Sequence, residues 1–124
     1  AEGLGALDLR GLTVSEIARI CGSDGLAGVQ LVFVDGRCLT VTVWTDWTLL
    51  VELRSEAVVP DYLPQPGEDG TRVPLEEFAD SNIVINEVVP GFNEVGELMK
   101  VRFTLDNQQL LLRSFGGNLV MELG

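Results

Sequence analysis

The sequence contains no histidine, so it lacks the side chain that most often serves as general base, nucleophile activator or metal ligand. This absence excludes serine and cysteine catalytic triads of the usual form. The nucleophile elbow GxSxG, the P-loop and the HExxH metalloprotease motif are also missing. We therefore expect a protein that is not an enzyme.

Cysteine is scarce as well, with Cys21 and Cys38 as the only two. They do not form a CxxC pair, and without histidine the usual zinc and haem ligand sets cannot be assembled. We expect no metal and no cofactor. The two thiols are interpreted as small buried apolar residues in a reducing cytoplasm, with a disulfide or redox pair as the alternative.

Long apolar runs are missing, since the apolar residues come in groups of three or four, far short of the roughly 18 that a membrane helix needs. Residues 1–6 have neither a basic region nor a long apolar region, which predicts no secretory signal. With 124 residues, 46% of them apolar, the chain can build one core, so we expect one soluble, cytoplasmic domain over residues 1–124.

Positive charge is rare: eight basic residues stand against 19 acidic ones, for a net charge of −11. Only Lys100 is a lysine, and the arginines are scattered along the chain. Such a field repels phosphate backbones and anionic lipids, so nucleic acid and membranes are not expected as partners. A basic protein is the partner that this charge favours, and the oligomeric state is left open.

Two short helices are predicted. Thr13 and Glu16 have the spacing of a capping box ahead of a helix over residues 14–21, and Gly22 suits the position that ends it. A second helix is predicted over residues 74–80, because a proline opens it and two glutamates follow in the first turn.

The rest of the chain alternates with the period of β-strands from residue 28 onward. Asp35-Gly36 is a strong hairpin signal, and the proline-rich and glycine-rich segment 59–73 is predicted to be a loop. We therefore predict an α+β fold that is mostly antiparallel β, in which two three-stranded meanders form a strongly curled sheet or a partly closed barrel. Strands are predicted over residues 29–34, 38–43, 47–53, 83–89, 98–105, 109–113 and 119–123.

Segments 28–53 and 98–123 share an order of apolar residues, turn and apolar-Glu-Leu ending, which suggests an internal repeat. In that repeat Phe33 and Phe103 occupy equivalent core positions. The alternative is that any two antiparallel meanders look alike at this level.

Acidic residues are densest in the predicted loop and second helix, where Arg72 is the only base. This stretch is interpreted as a solvated acidic face, a docking surface for a basic partner, or a hard-cation or acid/base site. Trp44 shares a face with threonines and is either buried under a helix or an exposed anchor, whereas Trp47 is in phase with core residues. The predicted partner-binding residues are Trp44, Tyr62, Glu68, Asp69, Glu76, Glu77 and Asp80.

No motif identifies a family. Size and charge alone favour a non-enzymatic, acidic protein-binding module that engages a basic partner, as small bacterial inhibitor and immunity proteins do. One alternative is a small-ligand binder or carboxylate-dependent enzyme that uses the mouth of a β-barrel. Another is an oligomerising structural subunit whose edge strand is formed by residues 83–89.

Overall fold

Antiparallel β-structure dominates the computed structural model, which describes residues 8–78 and 82–124. Within these residues the only helical element is a 3-10 helix of three residues, Glu76–Phe78. The strands are β1 (Thr13–Gly22), β2 (Gly25–Phe33), β3 (Cys38–Val43), β4 (Leu49–Arg54), β5 (Thr71–Pro74), β6 (Ile83–Phe92), β7 (Leu98–Leu105), β8 (Gln108–Phe115) and β9 (Asn118–Leu123).

The strands form one open nine-stranded sheet in the order β4-β3-β2-β1-β6-β7-β8-β9, with β5 added beside β1. It consists of two four-stranded meanders, β1–β4 and β6–β9, joined where Thr13 and Val14 pair with Val84 and Ile83. Among the strands of the described residues, the terminal ones, β4 and β9, each pair with one neighbour. The predicted α+β class and partly closed barrel are therefore wrong.

The two meanders enclose one hydrophobic core, because β9 packs against β2 and β3 while β4 packs against β7. Removal of these apolar side chains from water is the main source of stability. The first meander contributes Val29, Leu31, Phe33, Leu39 and Val41, among others, and the second contributes Val101, Phe103, Leu105, Leu110 and Leu112.

The helix predicted over residues 14–21 is wrong, because this segment is β1. Val14 pairs with Phe33 and Glu16 with Val32, so β1 has one extra residue, a β-bulge. The bulge puts Val14 and Ile17, three residues apart, into the same core. That spacing imitates the period of a helix. Position 22 needs a glycine because Pro64 packs closely against it, and not because a helix ends there. A Cβ on residue 22 would lie 2.7 Å from Pro64 Cγ.

The helix predicted over residues 74–80 is also wrong. Pro74 ends β5, and the Leu75 amide donates to the Ile17 carbonyl at 2.8 Å, which continues the contact with β1. Leu75 and Phe78 are both buried, so the chain makes only one tight 3-10 turn between two core anchors. Residues 79–81, at the end of the predicted helix, lie outside the described residues.

The predicted repeat segments correspond to the last three strands of each four-stranded meander. Phe33 lies on the second strand of the first meander and Phe103 on the second strand of the second, and both are buried. The predicted number of three strands per meander is too low. The predicted helix over residues 14–21 is β1, and the strand predicted over residues 83–89 belongs to the second meander as β6. Duplication itself stays a prediction.

The segment between β4 and β5, residues 55–70, lies over the outer face of the first meander. Leu63 is buried, and its Cδ1 lies 3.0 Å from the position that a Cβ on Gly28 would take. We call residues 55–70 the covering segment. The sequence predicted a loosely held loop over 59–73, but Pro60 and Leu63 are buried and residues 71–74 form β5.

A buried glutamine holds this covering segment in place. Gln30 is fully buried on the outer face of β2, and its side-chain amide donates to Thr40 Oγ1 at 3.2 Å and to the Val58 carbonyl at 3.0 Å. Its oxygen accepts from Arg72 Nε at 3.0 Å, and the Arg72 guanidinium also pairs with Glu16. Gln30 thereby links β3, β5 and the covering segment.

We expect Phe103→Ala to lower the free energy of unfolding by about 3–5 kcal/mol, because it leaves a cavity in a core that cannot collapse fully. Phe115, which is 66% exposed, supplies the matched control, and Phe115→Ala should cost less than about 1 kcal/mol. Urea unfolding measures both values. Equal effects of the two substitutions would contradict the described core.

We expect Gln30→Ala to destabilise the protein by about 1–3 kcal/mol, because the Val58 carbonyl and Arg72 lose a buried partner. The exposed Gln109 on β8 is the control, and Gln109→Ala should change the stability little. Limited proteolysis of the Gln30→Ala variant should cut first within residues 55–70. An unfolding midpoint like that of Gln109→Ala would show that the network contributes nothing.

Candidate functional site

The turns at one end of the molecule surround a cleft of about 480 Å³. Its walls come from the β1–β2 turn, the end of β3, the covering segment and the β8–β9 turn. The cleft therefore collects residues from both meanders. The lining residues are Gly22 to Ala27, Thr42 to Thr45, Tyr62 to Pro64 and Gly117 to Leu119.

An aromatic pair forms one wall of this cleft. The Trp44 and Tyr62 rings meet edge to face, with centroids 5.3 Å apart and planes at 88°. Trp44 is 36% exposed. No helix of the described residues covers its indole, so the predicted burial under a helix is wrong. The Tyr62 hydroxyl donates to Glu52 Oε1 at 3.0 Å, and Arg54 Nε donates to the same oxygen at 2.6 Å. The glutamate thus fixes the tyrosine ring against the tryptophan.

Trp47 stands beside the cleft and is 62% exposed, so its predicted place in the core is wrong. Its φ of 67° lies in the left-handed region, which is costly for a large side chain. Its ring lies over Gly117, and its carbonyl accepts from Ser114 Oγ at 2.7 Å. These contacts with the second meander hold the strained turn and leave the indole open to solvent.

The surroundings of the cleft are acidic. Asp24 lines it, and Asp46 and Asp61 each directly adjoin a lining residue along the chain. The Asp69 carbonyl lies 4.0 Å from the Cβ position of Gly22. Arg54, the nearby base, is paired with Glu52. A cation that enters the cleft would meet aromatic rings and carboxylates together.

The structure brings together only part of the predicted partner-binding set. Trp44 and Tyr62 are in contact, and Glu68 and Asp69 lie in the turn before β5 at the cleft end, where Asp69 accepts from the Gln65 amide at 2.7 Å. The exposed Glu76 and Glu77 follow β5, at its other end. Asp80 lies outside the described residues.

Residues 8–78 and 82–124 contain no group of three or more cysteine or carboxylate side chains placed to hold a metal ion. Both cysteines are free thiols, and burial raises the pKa of the Cys38 thiol. The same ranges include no helix of the length and apolar character that crossing a membrane requires.

Comparison with protein-family models, curated protein sequences and solved structures found no match.

Sequence reasoning missed Trp47 and the two distant turns that complete the cleft. A signal for Trp47 existed, because Asp46 accepts from the Thr48 amide at 3.1 Å, and an aspartate that bonds two residues ahead is typical of a turn. No local signal could place Gly117 beneath Trp47, because 69 residues separate them.

The tyrosine gives a direct test of this geometry, since Tyr62 is the only one in the chain. Burial and then the hydrogen bond to the Glu52 carboxylate raise the pKa of Tyr62 to about 12. Ultraviolet titration of the phenolate should therefore give a midpoint near 12 in the folded protein. Glu52→Gln should lower that midpoint toward the ordinary value of about 10.

The same shift sets a pH window for stability. Because the folded-state pKa lies above the unfolded one, the folded state keeps its proton longer as pH rises. This contribution is complete below pH about 10 and is lost as pH rises through about 12. A wild-type midpoint near 10, with circular dichroism showing an intact fold, would contradict the buried contact.

Proposed function

We propose that this protein is a non-enzymatic binding module that engages a basic partner protein at the aromatic, acidic cleft. The observation that carries the proposal is the grouping of Trp44, Trp47 and Tyr62 among carboxylates at one end of the fold. We include a cytoplasmic setting in the proposal, because two free thiols suit a reducing compartment.

The aromatic residues support an anchor role. Tryptophan and tyrosine are enriched among the residues that dominate binding energy, above all where a pocket lets them desolvate fully. Trp47 keeps a left-handed backbone while leaving most of its indole exposed, and packing alone gives no reason for such exposure. A guanidinium or ammonium group stacked on these rings would gain a cation–π interaction.

The negative charge of the domain favours a basic partner and a high rate of association with it. A domain of net charge −11 attracts a cationic protein over a distance of about one Debye length and repels acidic ones. Asp24, which lines the cleft, and Asp61, next to Tyr62 in the chain, carry part of this charge. Glu76 and Glu77, at the far end of β5, can contribute to steering but lie away from the anchor.

A second candidate function is the binding of a small ligand, because a volume of about 480 Å³ falls within the range of small-molecule sites. The barrel mouth predicted for it is wrong, because the described strands form an open sheet. The prediction that residues 83–89 form an edge strand for oligomerisation is wrong, because they belong to β6, which lies between β1 and β7 in the sheet order and pairs with both.

The proposal is tested with an acetylated peptide of four arginines and a matched peptide of four glutamines, by isothermal titration calorimetry. The arginine peptide should bind, and its affinity should fall between low and physiological salt. Trp44→Ala should weaken binding about tenfold. Val34→Ala removes exposed apolar surface at the end of β2 opposite the cleft and should leave binding unchanged.

A charge-matched pair of variants separates the cleft from general steering. Asp24→Asn with Asp61→Asn removes two charges at the cleft, and Glu76→Gln with Glu77→Gln removes two at the far end of β5. The first pair should raise the dissociation constant more than the second. Equal effects, or binding that ignores both Trp44→Ala and salt, would overturn the proposal. A thermal shift produced only by uncharged metabolites would favour the second candidate.

A further inference from the structure

The outer face of the second meander is not covered by any other described element, in contrast to that of the first. Cross-strand pairing defines the residues on it, because partners across an antiparallel ladder share a face. One row across the sheet is Val89, Arg102, Leu111 and Glu122, and the next contains Gly91, Lys100, Arg113 and Val120. We call these two rows the open face.

The open face carries a cluster of basic residues, whereas the molecule as a whole is acidic. Three of the eight basic residues, Lys100, Arg102 and Arg113, lie in two adjacent rows, although acidic residues outnumber basic ones by 19 to eight in the chain. The grouping is not visible in the sequence, because Arg113 follows Lys100 by 13 residues. The two residues become neighbours only when β7 and β8 pair in a hairpin.

Arg102, at the centre of the open face, has a hydrogen-bond donor that no described residue pairs with. Its Nε is buried and has no hydrogen-bond partner among the described residues. The nearest carboxylate, Glu87, lies 4.0 Å from the guanidinium, which is beyond hydrogen-bond length. Arg113, by contrast, is held by Glu122 at 3.2 Å. The Arg102 side chain is 43% exposed, so its terminal N–H groups can donate to a carboxylate supplied from outside.

A groove of about 370 Å³ runs beside Arg102. Val89 and Leu111 provide apolar lining, and Lys100 and Arg102 provide positive charge. The Glu122 carboxylate, which also lines the groove, is paired with Arg113. The groove is open to solvent along the sheet surface and does not enclose a small molecule. This combination suits an apolar side chain flanked by carboxylates.

We infer that the open face is a second interaction surface, which binds an acidic segment of a partner protein by seating an apolar side chain between Val89 and Leu111 and pairing carboxylates with Lys100 and Arg102. Charge complementarity decides the occupant, because a basic segment would be repelled by these side chains and attracted by the rest of the surface. The inference is independent of the cleft, which favours a cationic ligand.

The test is a titration of ¹⁵N-labelled protein with the peptide acetyl-Glu-Leu-Glu-Leu-Glu-amide, followed by two-dimensional NMR. Amide signals of Arg102, Gln109 and Leu111 should shift, and the indole signals of Trp44 and Trp47 should not. The peptide in which glutamine replaces each glutamate should cause no shifts. The two tryptophan signals thus distinguish this surface from the cleft.

Substitutions then assign the contact. Arg102→Gln and, separately, Lys100→Gln should each weaken peptide binding about tenfold, which corresponds to about 1.4 kcal/mol. Arg37→Gln removes the same charge from the β2–β3 turn and should leave the dissociation constant within about twofold of the wild type. Thermal unfolding of each variant verifies the fold, and the exposed Lys100 keeps the test valid should Arg102→Gln fail to fold.

Three results would overturn the inference: equal binding of the glutamate and glutamine peptides, shifts confined to the cleft, or equal loss in Arg37→Gln and both open-face variants. Sedimentation velocity examines the remaining occupant, a second copy of the chain. Concentration-dependent dimers that dissociate in Lys100→Gln would assign the open face to self-association instead.

Discussion

Strand β1 makes backbone pairings with three different strands, and the rest of the structure depends on these pairings. Along one edge it pairs with β2 through most of its length, and along the other it pairs with β6 at its start and with β5 further on. The β1–β6 pairing joins the two meanders into one sheet, and β5 brings the covering segment back to the first meander. The four buried residues of β1, Val14, Ile17, Ala18 and Ile20, are all apolar, whereas Arg19 is exposed.

The two meanders differ in what covers their outer faces, and this difference produces both surfaces described above. In the first meander the long connection between β4 and β5 returns across the outer face, where Gln30 and Leu63 hold it. Its passage brings Tyr62 against Trp44 and so forms one wall of the cleft. The second meander has only tight hairpin connections, so its outer face keeps exposed polar and apolar side chains side by side.

Charge is distributed unevenly over the molecule, as is the covering of the two outer faces. Carboxylates adjoin the cleft, whereas three bases gather on the open face of a molecule that is otherwise strongly acidic. In our two proposals, a basic and an acidic partner are directed to different surfaces, because each is attracted where the other is repelled. The aromatic rings at the cleft and the apolar lining of the open face supply short-range contacts that electrostatic steering alone does not.

The sequence by itself determined the antiparallel β character, most strands from residue 29 onward and the hairpin at Asp35 and Gly36, because alternation and turn chemistry act over a few residues. It also determined the lack of histidine chemistry and the acidic charge. Tertiary structure decided the rest. The bulge in β1 imitated a helical period, and two core anchors, Leu75 and Phe78, replaced the second predicted helix with one 3-10 turn. Trp47 lies in a strained turn over Gly117 instead of in the core, and Lys100 pairs with Arg113 across the β7–β8 ladder. Each outcome depends on residues far apart in the chain, whose contacts no local pattern encodes.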